Sequence, residues 1–192
     1  MQTTPDSPSP FTQKLPFYQN LRMIWAAIAI TSFAAMGYAF YAEHILELKP
    51  CNLCMLQRGS MTLLGGIALI AFLQNSEKKS ARFIYVALAD LAALSGVILA
   101  GRHVWLQHLP EYQVPACGPD FDFLINQFPL IEVITEIFQG SGQCAEIQWQ
   151  FLGLSMPEVL LGLFIGLWSL CHYALFLIIK EIKKQKTQEN IS

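Results

Sequence analysis

The chain has 192 residues, of which 54% are hydrophobic and only 14% are charged, and its formal net charge at pH 7 is −2. The length suits one domain, but this composition is too apolar for an ordinary soluble protein. It argues against a soluble enzyme, and no nucleic-acid partner is expected.

Four apolar segments set the predicted architecture. A helix needs about 20 residues to cross a hydrocarbon core, and the segments at residues 21–42, 53–73, 83–106 and 159–179 reach that length. We therefore predict an all-α integral membrane protein, a single four-transmembrane-helix bundle over residues 1–192. The first segment is predicted to be retained, because it is too long for a signal peptide and no clear small-x-small cleavage site follows it. Residues 1–20 are rich in proline and are expected to form a flexible leader.

The positions of the basic residues predict the orientation in the membrane. Only Lys49, Arg58 and Arg102 lie at or near one side. The other nine basic residues fall near the N-terminus, around the loop at 74–82 or in the tail at 180–192: Lys14, Arg22, Lys78, Lys79, Arg82, Lys180, Lys183, Lys184 and Lys186. Both termini and the 74–82 loop are therefore predicted to be cytoplasmic, and the loops at 43–52 and 107–158 to lie outside.

The predicted spans contain a few polar or small residues. Asp90 lies in the third span, where an unpaired charge is costly, so it is expected to be protonated or to face a polar partner. A packing role is favoured for it, because it lies nearer the cytoplasmic side than the cysteines do. Cys171 and His172, in the last third of the fourth span, are interpreted as structural residues. Close helix packing is expected at Gly37, Gly65, Gly66, Gly162 and Gly166.

The long loop at 107–158 contains a helix of a different kind. Apolar residues recur at helical spacing within 128–139, with polar residues between them: Leu130, Val133, Ile134, Ile137 and Phe138. The pattern predicts a short amphipathic helix, which either lies on the bilayer surface or packs against the bundle.

The cysteines divide by position. Cys51 and Cys54 lie in the first outer loop, Cys117 and Cys144 in the second, and Cys171 in the membrane. If the outer side is oxidising, disulfides persist there, and pairing Cys51 with Cys54 and Cys117 with Cys144 is the simplest of the three connectivities.

The two pairs suggest different purposes. A bond between Cys117 and Cys144 alone would fit a structural staple worth about 3–4 kcal/mol, whereas the Cys51–Cys54 loop is too small for that purpose and favours redox exchange. A zinc site of all four outer thiolates is a third possibility. It lacks a second Cys-x-x-Cys pair, so no metal ligand is predicted.

Arg58 and His103 are the candidate neighbours of this redox pair. If the second helix begins near residue 53, Cys54 lies in its first turn and Arg58 follows on the same face. The helix dipole and the guanidinium then both favour a Cys54 thiolate, at a depth where a lipid-soluble electron acceptor can meet it. His103, at the outer end of the third span, can reach the same level and donate a hydrogen bond to a carbonyl. The alternatives are a snorkelling arginine and an interfacial histidine.

Several motifs occur in a specific order along most of the chain. They are Pro-Cys-x-Leu-Cys at 50–54 with Arg58, Arg-His-x-x-Leu-Gln at 102–107, Gly-Gln-Cys-Ala-Glu at 142–146 and Gln-Trp-x-Phe-Leu-Gly-Leu-x-Met-Pro at 148–157. In this combination the chain resembles the bacterial disulfide bond formation protein B family, the quinone-linked thiol oxidases of the inner membrane. Gln57 departs from those relatives that carry an acidic residue before the arginine.

The resemblance implies an enzyme, a quinone-dependent protein-disulfide oxidoreductase with both cysteine pairs on the periplasmic side of the bacterial inner membrane. It implies that a reduced thioredoxin-like periplasmic oxidase, similar to DsbA, attacks Cys117 and that the released Cys144 attacks Cys51. Cys54 is then freed beside a quinone in the lipid membrane, either ubiquinone or menaquinone. Arg58 and His103 position that quinone. The residues alone leave an alternative, a non-enzymatic membrane scaffold with two structural disulfides.

Overall fold

Four long helices dominate the computed structural model, which describes residues 10–76, 78–116, 118–119 and 121–189. They are α1 (Pro10–His44), α2 (Asn52–Gln74), α3 (Lys79–Gln107) and α7 (Met156–Glu189). Each contains a stretch that is long and apolar enough to cross a membrane: Asn20–His44, Asn52–Gln74, Lys79–Gln107 and Met156–Gln188. The prediction of four membrane-spanning helices is confirmed.

All four helices extend beyond the predicted spans, α1 and α7 by the most. Helix α1 begins at Pro10, so part of the expected leader is helical, and α7 continues through the basic tail to Glu189. The tail of α7 is rich in good helix formers, and Gln185 donates a hydrogen bond to Glu181 one turn earlier, at 3.5 Å. Hydropathy marks only the part of a helix that lies in lipid.

The four helices form a closed bundle. Helix α1 packs against α2, α2 against α3, α3 against α7, and α7 returns to α1. Gly65 lets α1 and α2 approach, since a Cβ there would lie 2.9 Å from Ser32 Cβ, and Gly96 accommodates the buried ring of Phe164. Among the described residues, a Cβ at any of the other predicted packing glycines would meet nothing within 4 Å: Gly37, Gly66, Gly162 and Gly166.

The segment between α3 and α7 forms a small cap on one end of the bundle. It contains a 3-10 helix (Glu111–Gln113), α4 (Phe121–Gln127), α5 (Leu130–Gln139), α6 (Gly142–Ala145), and the strands β1 (Gln150–Phe151) and β2 (Leu154–Ser155). The strands pair antiparallel, with Gln150 opposite Ser155. Leu152 and Gly153 both have positive φ, as a tight hairpin turn requires.

The predicted amphipathic helix is present as α5, and its apolar residues face two environments. Val133 and Ile137 are buried against the bundle, whereas Leu130, Ile134 and Phe138 stay exposed. The helix therefore packs against the bundle, as one of the two expectations had it, while part of its apolar face remains uncovered.

Two contacts fix the end of α5 beside α3. Arg102 donates hydrogen bonds to the carbonyls of Phe138 and Gln139, at 3.1 and 2.9 Å, and so satisfies acceptors at the helix C-terminus. Gly140 follows with a φ of 85°, and a Cβ there would lie 2.3 Å from Leu106 Cδ1. This close approach turns the chain back across the end of α3 and leads it to Cys144.

Candidate functional site

Cys51 and Cys54 lie at the N-terminus of α2. Cys51 is the N-cap residue, with an extended backbone, and its carbonyl accepts a bond from the Met55 N–H at 3.2 Å. The Sγ atoms of Cys51 and Cys54 are 3.2 Å apart and both residues are free thiols. Because the two lie within the first turn of one helix, local backbone geometry alone brings the thiols together.

Cys144 approaches this pair from the cap. It is fully buried in α6 and lies within hydrogen-bonding reach of Cys51. The Leu53 backbone N–H, at the start of α2, also points to the Cys144 sulfur. Cys144 therefore shares with Cys51 the partial positive charge of the α2 N-terminus.

The thiols of Cys51 and Cys144 differ in pKa. Hydrogen bonds from Cys51 to Cys144 and then to Cys54, together with burial, raise the pKa of Cys51. The bond from Cys51 lowers the pKa of Cys144 to about 5 against the effect of burial, with help from the backbone N–H groups of Ser141 and Leu53. Cys144 is thus a thiolate at neutral pH, next to the sulfur of Cys51.

Cys117 lies outside the described residues. Ala116, which precedes it, accepts a backbone hydrogen bond from Gly142 at 3.2 Å. Asn52 donates a side-chain hydrogen bond to the Pro119 carbonyl at 3.0 Å. The described flanks of this loop are therefore tied to α6 and to the start of α2.

His103 is buried on α3 beside the thiols. Its Nε2 lies 3.7 Å from Cys51 Sγ, and its ring also faces Cys54. On the other side of the ring, Gln57 Nε2 lies 3.3 Å from His103 Nδ1. An amide nitrogen can only donate, so Nδ1 accepts and the ring carries its proton on Nε2, toward the sulfurs. The structure places His103 with the cysteines, and Gln57 orients it.

Arg58 is held by a partner from another helix. Its guanidinium forms a salt bridge with Glu43 of α1 and donates a hydrogen bond to the Ala39 carbonyl at 3.2 Å. It also lies 5.8 Å from the centre of the Phe40 ring. These contacts fix the guanidinium at one position, one turn below Cys54.

A cavity of about 290 Å³ opens beside the thiols. Its walls are mainly apolar and come from α1, α2, α3, α7 and the cap, and its polar groups include Cys54, Gln57, Arg58 and His103. Its size is near the lower end of small-molecule sites. Apolar walls with a few convergent polar groups suit a flat ring that carries carbonyl oxygens.

Asp90, His172 and Cys171 lie apart from this site. Asp90 Oδ1 is 3.1 Å from His172 Nδ1. The acid inside the third span therefore has a polar partner, which was one of the two expectations. The pair joins α3 to α7. Cys171 is fully buried in the main apolar core, as a small hydrophobic residue would be.

Asn52, Gln57 and Glu43 are functional candidates to which the sequence analysis assigned no role. Gln57 had been noted only as a departure from the resembled family. Glu43 precedes Arg58 by 15 residues and the Pro119 carbonyl is 67 residues from Asn52, so neither contact is visible from local spacing.

Comparison with known proteins gives consistent matches. The family model described as "Disulfide bond formation protein DsbB" matches residues 21–174. A "Disulfide bond formation protein B" of Acinetobacter baumannii is 43% identical over 157 residues, covering 82% of this chain and 92% of the relative. Proteins with the same description in Acinetobacter baylyi and Hahella chejuensis are each 41% identical over 160 residues, which is 83% of this chain and 88% and 96% of those relatives.

Proposed function

Because this chain belongs to the disulfide bond formation protein B family, we propose that it is a quinone-dependent oxidoreductase that reoxidises a thioredoxin-like disulfide donor. It is a multi-pass membrane protein of a family named for disulfide bond formation. The proposal adds the electron acceptor, the protein partner, the role of each cysteine and the orientation, with both cysteine pairs on the periplasmic face of the bacterial inner membrane.

The observation that carries the proposal is the position of the Cys144 sulfur. Disulfide exchange requires a thiolate in contact with the sulfur that it attacks. Cys144 lies within hydrogen-bonding reach of Cys51, and its pKa of about 5 keeps it ionised at neutral pH. A purely structural disulfide between Cys117 and Cys144 would require no third cysteine beside it.

The exchange steps then follow in order. A thiolate of the reduced partner attacks Cys117 of a Cys117–Cys144 disulfide and releases Cys144 as a thiolate. Cys144 attacks Cys51 of the Cys51–Cys54 disulfide, and Cys54 leaves as a thiolate. The second thiol of the partner resolves the mixed disulfide and frees Cys117, which attacks Cys144 and releases Cys51. The partner has gained a disulfide, and Cys51 and Cys54 hold its two electrons.

The cavity beside Cys54 is the proposed quinone site. When bound there, a quinone accepts two electrons and two protons, so that the Cys51–Cys54 disulfide re-forms. Arg58, fixed by Glu43 and the Ala39 carbonyl, supplies a positive charge at the cavity wall that favours negative charge on an adjacent oxygen. His103 holds a proton on Nε2, facing the sulfurs.

Anaerobic quinone reduction tests the proposal. The purified protein is mixed with a reduced thioredoxin-like oxidase and a soluble quinone, and quinone absorbance is followed. We expect multiple turnovers that Cys51→Ser abolishes and that Cys171→Ser, in the distant core, leaves unchanged. A scaffold with structural disulfides would reduce no quinone, and that result would overturn the proposal.

Arg58→Ala separates the two halves of the reaction. We expect a raised KM for the quinone, while the protein still oxidises one equivalent of partner through Cys117 and Cys144. Glu43→Gln should show the same pattern more weakly, because it loosens the guanidinium without removing it. If Arg58→Ala also lost the single stoichiometric turnover, Arg58 would not belong to the quinone site.

A further inference from the structure

Three metal-binding side chains converge in the reduced site. The donor atoms of Cys51, Cys54 and His103 all lie within 4.8 Å of one another. The sequence argued against a zinc site of the four outer thiolates because a second Cys-x-x-Cys pair is lacking, and His103 was not considered as a ligand. We propose that the dithiol form of this site binds one thiophilic metal ion, with Cys51, Cys54 and His103 as its ligands.

The distances fit a tetrahedral ion. Bonds of about 2.3 Å to sulfur and 2.0 Å to nitrogen place neighbouring ligand atoms about 3.5–3.8 Å apart. The two sulfurs are 3.2 Å apart, and His103 Nε2 is 3.7 Å from Cys51 Sγ. Adjustments of about half an ångström would therefore bring these two pairs of donor atoms to tetrahedral spacing. Side-chain rotation in the first turn of α2 is sufficient for such a shift.

Gln57 is suited to orient the histidine ligand. To bind a metal through Nε2, His103 must carry its proton on Nδ1 and needs an acceptor there. Gln57 is buried with the ring, and a half-turn of its amide presents an oxygen to Nδ1 in place of the nitrogen. Outer hydrogen bonds of this kind fix the tautomer of metal-bound histidines. One residue thus supports both the metal-free and the metal-bound ring.

The donors and charges select the class of ion. Two thiolates and an imidazole favour zinc, cadmium or cuprous ions over magnesium or calcium. Binding a divalent ion releases two thiol protons, and the two thiolates balance its charge. Arg58 is the cation nearest along the helix, and its charge is neutralised by Glu43. The mainly apolar cavity beside the thiols leaves room for a fourth, exchangeable ligand.

The site exists only in one redox state. A disulfide between Cys51 and Cys54 has no thiolate to offer, so metal binding requires the dithiol. If the proposed function holds, a bound ion occupies the sulfurs that would otherwise pass electrons to the quinone. Thiophilic ions would then inhibit reoxidation, and oxidation would prevent metal binding. The binding itself does not depend on the proposed function.

Cadmium titration provides a direct measurement. The Cys117→Ser/Cys144→Ser protein is reduced, freed of reductant under anaerobic conditions and titrated with Cd²⁺, while the ultraviolet thiolate-to-cadmium band is recorded. We expect one ion per chain in the reduced protein and no band after oxidation to the disulfide. Removing Cys171 from the same background is the matched control and should leave the affinity unchanged.

Two substitutions test the ligand set. Losing an outer-shell partner typically weakens metal binding 10- to 100-fold, and His103→Ala, which removes a ligand, should weaken Cd²⁺ binding by at least that much. If the His103→Ala protein does not fold, His103→Asn replaces it in the same titration. Gln57→Leu should weaken binding within that same range, whereas Gln57→Glu, which retains an acceptor for Nδ1, should preserve it.

An unchanged affinity in both histidine variants would overturn the proposal, because two cysteines alone would then account for binding. A thiolate-to-cadmium band that persists after oxidation of Cys51 and Cys54 to the disulfide would also overturn the proposal. Failure of quinone reduction with intact cadmium binding would refute only the proposed function. Intact quinone reduction in metal-free buffer without cadmium binding would refute only the metal site.

Discussion

Replacing Gln57 by leucine tests how the site controls His103. The substitution keeps the approximate volume of a buried side chain but removes the 3.3 Å hydrogen bond to His103 Nδ1. The ring nitrogen is then buried without a partner, which costs about 1–3 kcal/mol. If the whole cost is added to the activation free energy of turnover, quinone reduction slows by about 5- to 150-fold, since about 1.4 kcal/mol corresponds to a factor of ten.

The assay compares two rates in the same protein. We expect Gln57→Leu to lower kcat for anaerobic quinone reduction, while the first stoichiometric exchange between the partner and Cys117–Cys144 keeps its rate. Gln57→Glu has no N–H to donate and favours the tautomer protonated on Nδ1, and Gln57→Asn is one methylene too short to reach the ring, so neither should recover the loss. Wild-type turnover in Gln57→Leu, or an equal loss of both rates, would refute a positioning role.

Three further changes test other parts of the structure. The pKa of Cys144 is lowered to about 5. Its thiolate absorbance, measured as the difference from Cys144→Ser, should therefore be complete at pH 7 and fall by half near pH 5. An ordinary thiol would show this absorbance only near pH 9. Gly96→Ala places a Cβ 2.1 Å from the buried Phe164 ring and should lower the unfolding free energy by about 1–3 kcal/mol, whereas Gly66→Ala, in open space, should not. Asp90→Asn weakens the contact with His172 and should cost about 0.5–2 kcal/mol in denaturant unfolding; an unchanged midpoint would show that the pair contributes no stability.

Local sequence patterns were sufficient for much of the fold. Hydropathy located the four spans, and the period of the apolar residues at 130–139 located α5. These features depend on neighbours a few residues away. The helical structure of residues 10–20 in α1 and the continuation of α7 to Glu189 were not predicted, because a helix continues past the lipid wherever propensity allows.

The site was predictable in its members but not in its contacts. Cys-x-x-Cys spacing at a helix start determines the approach of Cys51 and Cys54. The contact of Arg58 with Glu43, and that of Gln57 with His103, depend on how α1, α2 and α3 are rotated about their own axes. Side-chain packing along whole helices sets that rotation, and no short motif encodes it. Arg58 was expected beside the quinone, but its salt bridge with Glu43 was not predicted.

The central claim is that electrons pass between Cys144 and Cys51. In a Cys54→Ser/Cys117→Ser protein these two thiols lose their usual partners, and oxidised glutathione supplies the oxidant. The Cys144 thiolate should attack glutathione disulfide, and Cys51 should then displace the glutathione. Mass spectrometry of an unreduced digest is predicted to show a Cys51–Cys144 linked peptide and none that contains Cys171. Two separately glutathionylated or unmodified cysteines, with no link between them, would contradict the relay.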